Sequence, residues 1–406
     1  MGGLAGLVGE IMRYLSVLAS NVFINVPTVL LVLMYSHLGT FQDSARLGTA
    51  LAYAAPLYLL FSMQHGVAIL AGRRAWGEAT ALRVKLAPLY LLIAVVVSVV
   101  YKEYLILVVG LYRLGDLLYE PYFSEKIRTT DYRGLFASSG GRLLVFLLSL
   151  LAVYLLKLEL MQAVMLLAFA NIAITIWSCG FSWAAGIRNA IATRTDFLMG
   201  GGACLASLSV NVPRYFLGRA DAGDLAAYSN LLTIVMAATL VFVSFNNLYF
   251  AKCARAGETG VFHFFTRSLG FGAVAAAMLW IFVVHDFEVA KILVGIALGK
   301  RYVAYAGLVY LFWLFYWLLY LQNVANCVLI YVGAGRIILL SNVLLLALLA
   351  VGFLAVLGNA SALSAVVVVN ISMAIFLVVA VYLTFARLRG VAGLRGVGEM
   401  PKDRPA

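Results

Sequence analysis

Charge is scarce in this chain: Asp, Glu, Lys and Arg make up 11% of its 406 residues, while 64% are hydrophobic. A soluble domain carries roughly one quarter charged residues, so this composition excludes one and indicates a polytopic membrane protein. Cysteine is scarce too. Cys179, Cys204, Cys253 and Cys327 lie in or at the ends of apolar stretches without CxxC spacing, which argues against disulfides and a metal site and leaves them as small packing residues. The four histidines, His37, His65, His263 and His285, are scattered singly with no HExxH, and Asp221 and Asp224 share a loop without a partner cluster. Gly295-Ile-Ala-Leu-Gly299-Lys300-Arg301 is one residue short of a phosphate loop and ends in Arg where that loop has Ser or Thr, which argues against ATP as the energy source within this chain. No enzymatic motif and no cofactor are read. A cleavable signal is also missing: the segment to Arg13 is short and Gly-rich, and the apolar run after Tyr14 passes 20 residues, so the first span is expected to stay.

What is present is a succession of apolar spans, at 14–36, 47–71, 84–101, 104–123, 136–156, 160–187, 197–217, 225–250, 264–284, 303–331, 337–357 and 361–385. The piece from Glu288 to Arg301 is too short to cross and reads as a half-buried lead-in to the tenth helix. With the N-terminus inside, only Arg46, Lys102, Lys157, Arg214, Arg219, Lys291, Lys300 and Arg301 of the 29 basic residues fall outside, and Arg113 lies within the fourth span. That bias places both termini of a multi-pass protein in the cytoplasm, and it explains the net charge of +12 without nucleic acid. The loops are too short for any independent domain, so function is expected within the membrane.

Asn25-Val26-Pro27 in span one returns as Asn211-Val212-Pro213 in span seven, and Gly141-Arg142 opening span five returns as Gly335-Arg336 opening span eleven. Two matches in the same order suggest a duplicated six-helix unit. Six spans return the chain to its starting side, so the halves relate by an axis along the membrane normal. The expected fold is all-α: twelve transmembrane helices in two six-helix lobes, 1–190 and 191–390, with a cytoplasmic tail, 391–406, and a hinge at 188–196.

The stretch Leu105 to Phe123 could cross a bilayer, yet it carries Arg113, Asp116 and Glu120 in its middle. Spacings of three and seven put those three on one helical face, with Tyr112 and Tyr119 at its border. Unpaired charges at membrane depth cost at least about 2.5–3.5 kcal/mol each, so such a stripe is kept for a polar pathway or substrate site, or else as an internal Arg113–Asp116 ion pair locking the helix to a neighbour. Asn21, Asn25 and Thr28 form a second stripe, Ser207, Asn211 and Arg214 a third, Asn171, Thr175 and Ser178 a fourth, and Gln322 with Asn326 a fifth. Each alone is adequate as interhelical glue. Stripes in spans one, four, seven and ten, equivalent positions of the two halves, are most economically explained by one polar cavity. Arg113 and Arg214 suit an anionic group there, because guanidinium pairs with phosphate oxygens bidentately and stays charged; the competing reading has Arg214 snorkel to lipid headgroups. The 22 tyrosines are suited to stacking on sugar rings and equally to interfacial belts.

The segment SVNVPRYFLGRADAGDLAAYSN, with Arg214 and then Tyr228, resembles the Wzx-type polysaccharide flippases of the multidrug/oligosaccharidyl-lipid/polysaccharide (MOP) exporter superfamily, as do GKRYVAYAGLVYLFW and NVANCVLIYVGAGR. The resemblance implies two lobes in a V, alternating access, and transfer of undecaprenyl-diphosphate-linked oligosaccharide from the cytoplasmic to the periplasmic leaflet. Its partners would be the lipid-linked oligosaccharide, membrane lipids and other polysaccharide assembly proteins. In this reading Arg113 and Arg214 attract the diphosphate, while Asn25, Asn211, Tyr112 and Tyr119 contact sugar. Asp116 and Glu120 serve coupling, with Glu120 the proton carrier and Asp116 ionised against Arg113; sodium is the other candidate ion. A cation-coupled multidrug exporter of the same fold is the alternative, and a membrane glycan polymerase or ligase a more distant one.

Overall fold

The computed structural model describes residues 2–180, 187, 189–218, 221–283 and 287–394, and no strand occurs among them. The first lobe comprises α1 (Gly2–Leu38), α2 (Phe41–Ser62), α3 (His65–Leu70), α4 (Trp76–Val100), α5 (Leu105–Arg128), α6 (Tyr132–Leu156) and α7 (Leu160–Cys179). The second comprises α8 (Arg194–Leu217), α9 (Ala222–Arg255), α10 (Gly257–Val283), the short α11 (Phe287–Leu298), α12 (Leu308–Tyr331), α13 (Gly335–Ala355) and α14 (Ala362–Leu394). Among the described residues, nine helical segments are long and apolar enough to cross a membrane on composition alone, α2 and α3 counting as one. The 24-residue α5 and α8 are also long enough, at ~1.5 Å per residue, but carry polar stripes. With α10 they complete twelve crossings in two six-helix lobes, the architecture expected.

The duplication is visible in the packing. In the first lobe α1 lies on α6 and α5 on α7; in the second α8 lies on α13 and α12 on α14. Across the lobes, α1 packs against α9 and α2 against α8, so each lobe's first helix meets the other's second. Asn25 Nδ2 bonds the Asn21 carbonyl at 2.9 Å, and Asn211 Nδ2 bonds the Ser207 carbonyl at 2.8 Å, the same backward bond beside the same Val-Pro in both halves. The second repeat match fails in register: Arg336 stands at the start of α13 and is exposed, whereas Arg142 lies ten residues into α6 and is fully buried.

Several helices begin earlier than the expected spans, α1 at Gly2, α2 at Phe41, α4 at Trp76 and α10 at Gly257, and three further boundaries differ. Span six stops at Cys179 rather than 187, where Gly180 turns the chain with φ +61°, a conformation a side chain would resist. Span ten begins at Leu308, after a 3-10 turn over Lys300–Tyr305. Span two breaks at Met63 and Gln64, both left-handed, leaving the six-residue α3 as a separate piece. The Glu288–Arg301 piece is α11 with that turn; Ala290, Val294 and Leu298 are buried, while Val289, Ile292, Leu293 and Ile296 face outward. Arg188 of the expected hinge, and the tail beyond Leu394, lie outside the described residues.

We name the faces by the charge-derived orientation. On the outer face, Tyr215 Oη bonds the Ala52 carbonyl at 2.6 Å, Arg301 Nη1 the Gly39 carbonyl at 2.9 Å, and His37 Nε2 lies 3.0 Å from the Ala297 carbonyl. On the inner face, Arg74 Nη1 donates to Asp196 Oδ1 at 2.6 Å, His65 Nε2 lies 3.2 Å from the same oxygen, and Arg255 Nη2 bonds the Arg128 carbonyl at 2.7 Å. The lobes are bridged on both sides of the space between them.

Candidate functional site

That space is a cavity of about 540 Å³ lined from α1, α2, α5, α8, α9 and α12. Its wall holds Asn25 and Thr28 of α1, Ser207, Asn211 and Arg214 of α8, and Gln322 and Asn326 of α12, so three of the sequence stripes converge there, with Arg113 alone from the α5 stripe. Tyr58, Gln64, Thr233, Thr239, Asn246, Tyr320 and Asn323 complete the polar lining. Arg113 and Arg214 are its only charged residues; no carboxylate lines it among the described residues. Pro27 and Pro213 sit inside their helices next to Asn25 and Asn211, where each ring removes a backbone donor and leaves a carbonyl free.

Arg214 does not snorkel to lipid. It is 6% exposed, and its Nη1 donates to Asn211 Oδ1 at 2.8 Å and Nη2 to the Ser229 carbonyl at 3.2 Å. Its neutral partners leave the charge uncompensated. Arg113 donates to Asp116 Oδ2 at 3.1 Å and lies beside the Tyr112 ring. Asp116 faces the interior of the first lobe, where Arg142 Nη2 approaches Oδ1 at 2.9 Å and Asn171 Nδ2 donates to it at 2.9 Å. Arg142 also donates to Asn171 Oδ1 and Thr175 Oγ1, each at 2.5 Å, so the α7 stripe meets the α5 stripe through a residue of α6. Gly115 permits this approach: a Cβ there would stand 2.7 Å from the Asn171 side chain.

Glu120 accepts from Tyr58 Oη at 3.2 Å and pairs with Arg83 at 3.1 Å, while Arg83 also donates to the Leu117 and Ser62 carbonyls at 2.5 and 2.7 Å. The two tyrosines expected at sugar do not line the cavity. Tyr112 is buried in the first lobe and shares a hydrogen bond with Thr28 Oγ1 at 3.0 Å; Tyr119 bonds Ser138 Oγ at 2.8 Å beneath the Arg142 guanidinium, 4.2 Å from its centroid. Tyr228 packs on Phe312 in the core of the second lobe. Arg83 and Arg142, counted in sequence with inner-face charge, prove to be fully buried parts of the network. The usable signal was the α7 stripe, since buried Asn and Thr with no polar partner on their own helix need one from another. Counting all of it, four guanidiniums (Arg83, Arg113, Arg142, Arg214) stand with two carboxylates (Asp116, Glu120), an excess of positive charge bordering the cavity.

No protein-family model matches the chain, and no curated protein matches it in sequence. Solved structures do match in fold. A multidrug resistance MATE family transporter of the MOP superfamily, in an outward-facing conformation, is similar at 13% identity, with 95% of this chain and 97% of that one covered and a TM-score of 0.60. A MOP superfamily transporter from Pyrococcus furiosus, described by a binding pocket of reverse polarity suggesting different function, is similar at 13% identity, with 94% and 96% covered and a TM-score of 0.60. A MATE transporter in complex with MaD5 reaches a TM-score of 0.63 at 12% identity, with 94% and 96% covered. The fold is therefore that of the MATE transporters of the MOP superfamily, in a multi-pass membrane protein.

Proposed function

We propose that this protein is an alternating-access exporter of the MOP superfamily whose cargo is anionic and rich in hydrogen-bonding groups. One observation carries the reading: the central cavity presents Arg113 and Arg214 among amides and hydroxyls, and no carboxylate lines it among the described residues; Asp116 pairs with Arg113 from within the first lobe, and Arg214 has neutral partners only. A cationic drug would meet repulsion in such a site, whereas a phosphate, carboxylate or sulfonate finds guanidinium donors. Two cargo classes fit. The fold neighbours support a multidrug-type exporter, here of anionic or neutral amphiphiles, and a cavity of about 540 Å³ lies within the ~300–1,000 Å³ typical of drug-sized ligands. The arginines and amides are also suited to the diphosphate and first sugars of a lipid-linked oligosaccharide, with the prenyl tail left in lipid. Glu120 is the proposed proton carrier, being partly exposed and tied to Tyr58 of the cavity wall.

A clean deletion separates the two. Loss of surface polysaccharide, with lipid-linked repeats held on the cytoplasmic face, supports the flippase; altered sensitivity to anionic amphiphiles with normal surface sugar supports the drug exporter. Robust export of cationic drugs by reconstituted protein, with anions refused, would overturn the anionic reading altogether.

A further inference from the structure

A second cavity, of about 370 Å³, opens on the inner face of the second lobe, away from the central one. Arg194, Arg336 and Arg387 line it from three different helices, α8, α13 and α14. All three are exposed, none makes a hydrogen bond or ion pair among the described residues, and no carboxylate lines the cavity. Asp196, the nearest carboxylate along α8, is committed to Arg74, His65 and the Thr193 cap. Inner-face arginines ordinarily only set topology, but two of these three are placed against electrostatic preference. Arg194 opens α8 and Arg336 is the second residue of α13, positions where the helix dipole is positive and a cation is disfavoured. The start of α13 receives no side-chain cap, so its first amides remain available beside the guanidiniums.

Two of the arginines also have an exposed apolar residue about one turn deeper along their own helix: Phe197 beyond Arg194 and Leu340 beyond Arg336. Charged heads over apolar flanks match the two halves of a phospholipid at the inner leaflet, where anionic headgroups draw basic clusters. We infer that this cavity is a binding site for a phosphate-bearing group, occupied by the headgroup phosphate of an anionic lipid of the inner leaflet. The site lies two residues from Asp196, so an anion held by Arg194 sits next to the inner bridge between the lobes.

The test uses the full-length protein in detergent, with lipid retention read by native mass spectrometry and unfolding by thermal shift. Wild-type protein should retain one phosphatidylglycerol at least tenfold more strongly than phosphatidylcholine. Arg336→Gln/Arg387→Gln should lose that preference with its lipid-free melting temperature unchanged; should the double variant not fold, Arg336→Gln alone serves the comparison. Saturable stabilisation of wild type, but not of the variant, by inorganic phosphate without lipid preference would keep the phosphate site and assign it to a free anion, overturning the lipid source. Equal phosphatidylglycerol retention by wild type and variant, or equal retention of the two lipids by wild type together with no stabilisation by inorganic phosphate, would overturn the site.

Discussion

Arg142 on α6 stands 2.9 Å from one oxygen of Asp116 on α5 while Arg113 takes the other at 3.1 Å, so a single buried carboxylate serves two guanidiniums. Removing it leaves Arg142, fully buried, beside another cation. Asp116→Asn should destabilise the protein by about 3–5 kcal/mol, the range for breaking a buried pair from one side. Melting in detergent checks it, and a double variant with Arg142→Met should recover much of the loss, because the stranded charge is gone.

Arg214 has neutral partners only, so it is the cavity cation most available to the anionic cargo proposed above. Hydrogen bonds to charged groups contribute about 1.5–3 kcal/mol, so Arg214→Gln should lower the affinity for an anionic cargo about ten- to a hundredfold. Arg214→Lys keeps the charge without the planar fork and should restore only part of it. Binding of a fluorescent anionic amphiphile, titrated in detergent, separates the three.

The proton-carrying role proposed for Glu120 is testable by substitution. Glu120→Gln should leave cargo binding in place and flatten the dependence of transport on external pH in proteoliposomes. An unchanged pH profile would demote the Arg83–Glu120 pair to a structural tie between α4 and α5.

On the inner face, Asp196 closes the capping box of α8 through Oδ2 and binds Arg74 and His65 through Oδ1. Asp196→Asn weakens both, and hydrogen exchange over residues 193–199 and 65–74 should rise together. Arg74→Gln spares the cap, so exchange should rise across the lobe contact while 193–199 stays protected.

Glu103, in the outer turn between α4 and α5, is held below the usual carboxylate range by the Arg46 guanidinium, with two bonds of 3.0 Å, and by the Leu105 amide. A lowered pKa means that the ion pair stabilises fully above about pH 4.5 and fades as pH falls through the lower folded value. Arg46 is largely solvated, so the stake is under about 1 kcal/mol. The melting temperatures of wild type and Glu103→Gln should differ slightly at pH 7 and converge below pH 4.

The lobes and their duplication were legible because apolar length and charge bias obey simple bilayer physics, and because Asn-Val-Pro performs the same backbone bond twice. Cavity walls were legible where a stripe faced one side of one helix, as with Asn25, Asn211 and Gln322. Tyr112 and Tyr119 were misjudged because periodicity gives a face but not what lies opposite, and α6 and α7 fill the space across from them. Arg142 was hidden by its place near a span boundary, where an arginine reads as topology; only three-dimensional proximity to Asp116 reveals its work. The inner bridge was illegible for a different reason: Arg74 and Asp196 are 122 residues apart and pair only after the lobes meet.

The break at Met63 and Gln64 turns the second span into two levers instead of one rod. The long arm, α2, holds the outer contacts through Ala52; the short arm, α3, begins with His65 at the inner bridge. Two consecutive left-handed residues without glycine cost of order 1–3 kcal/mol each, so the joint is a poor place for a helix to pass straight through. In the alternating-access cycle proposed above, motion at the inner end would be absorbed locally, and the inner bridge could part without dragging the outer contacts apart. Under the proposed function this would be a safeguard, because a single stiff rod joining both closures would tend to open them in concert and leave a leak across the membrane.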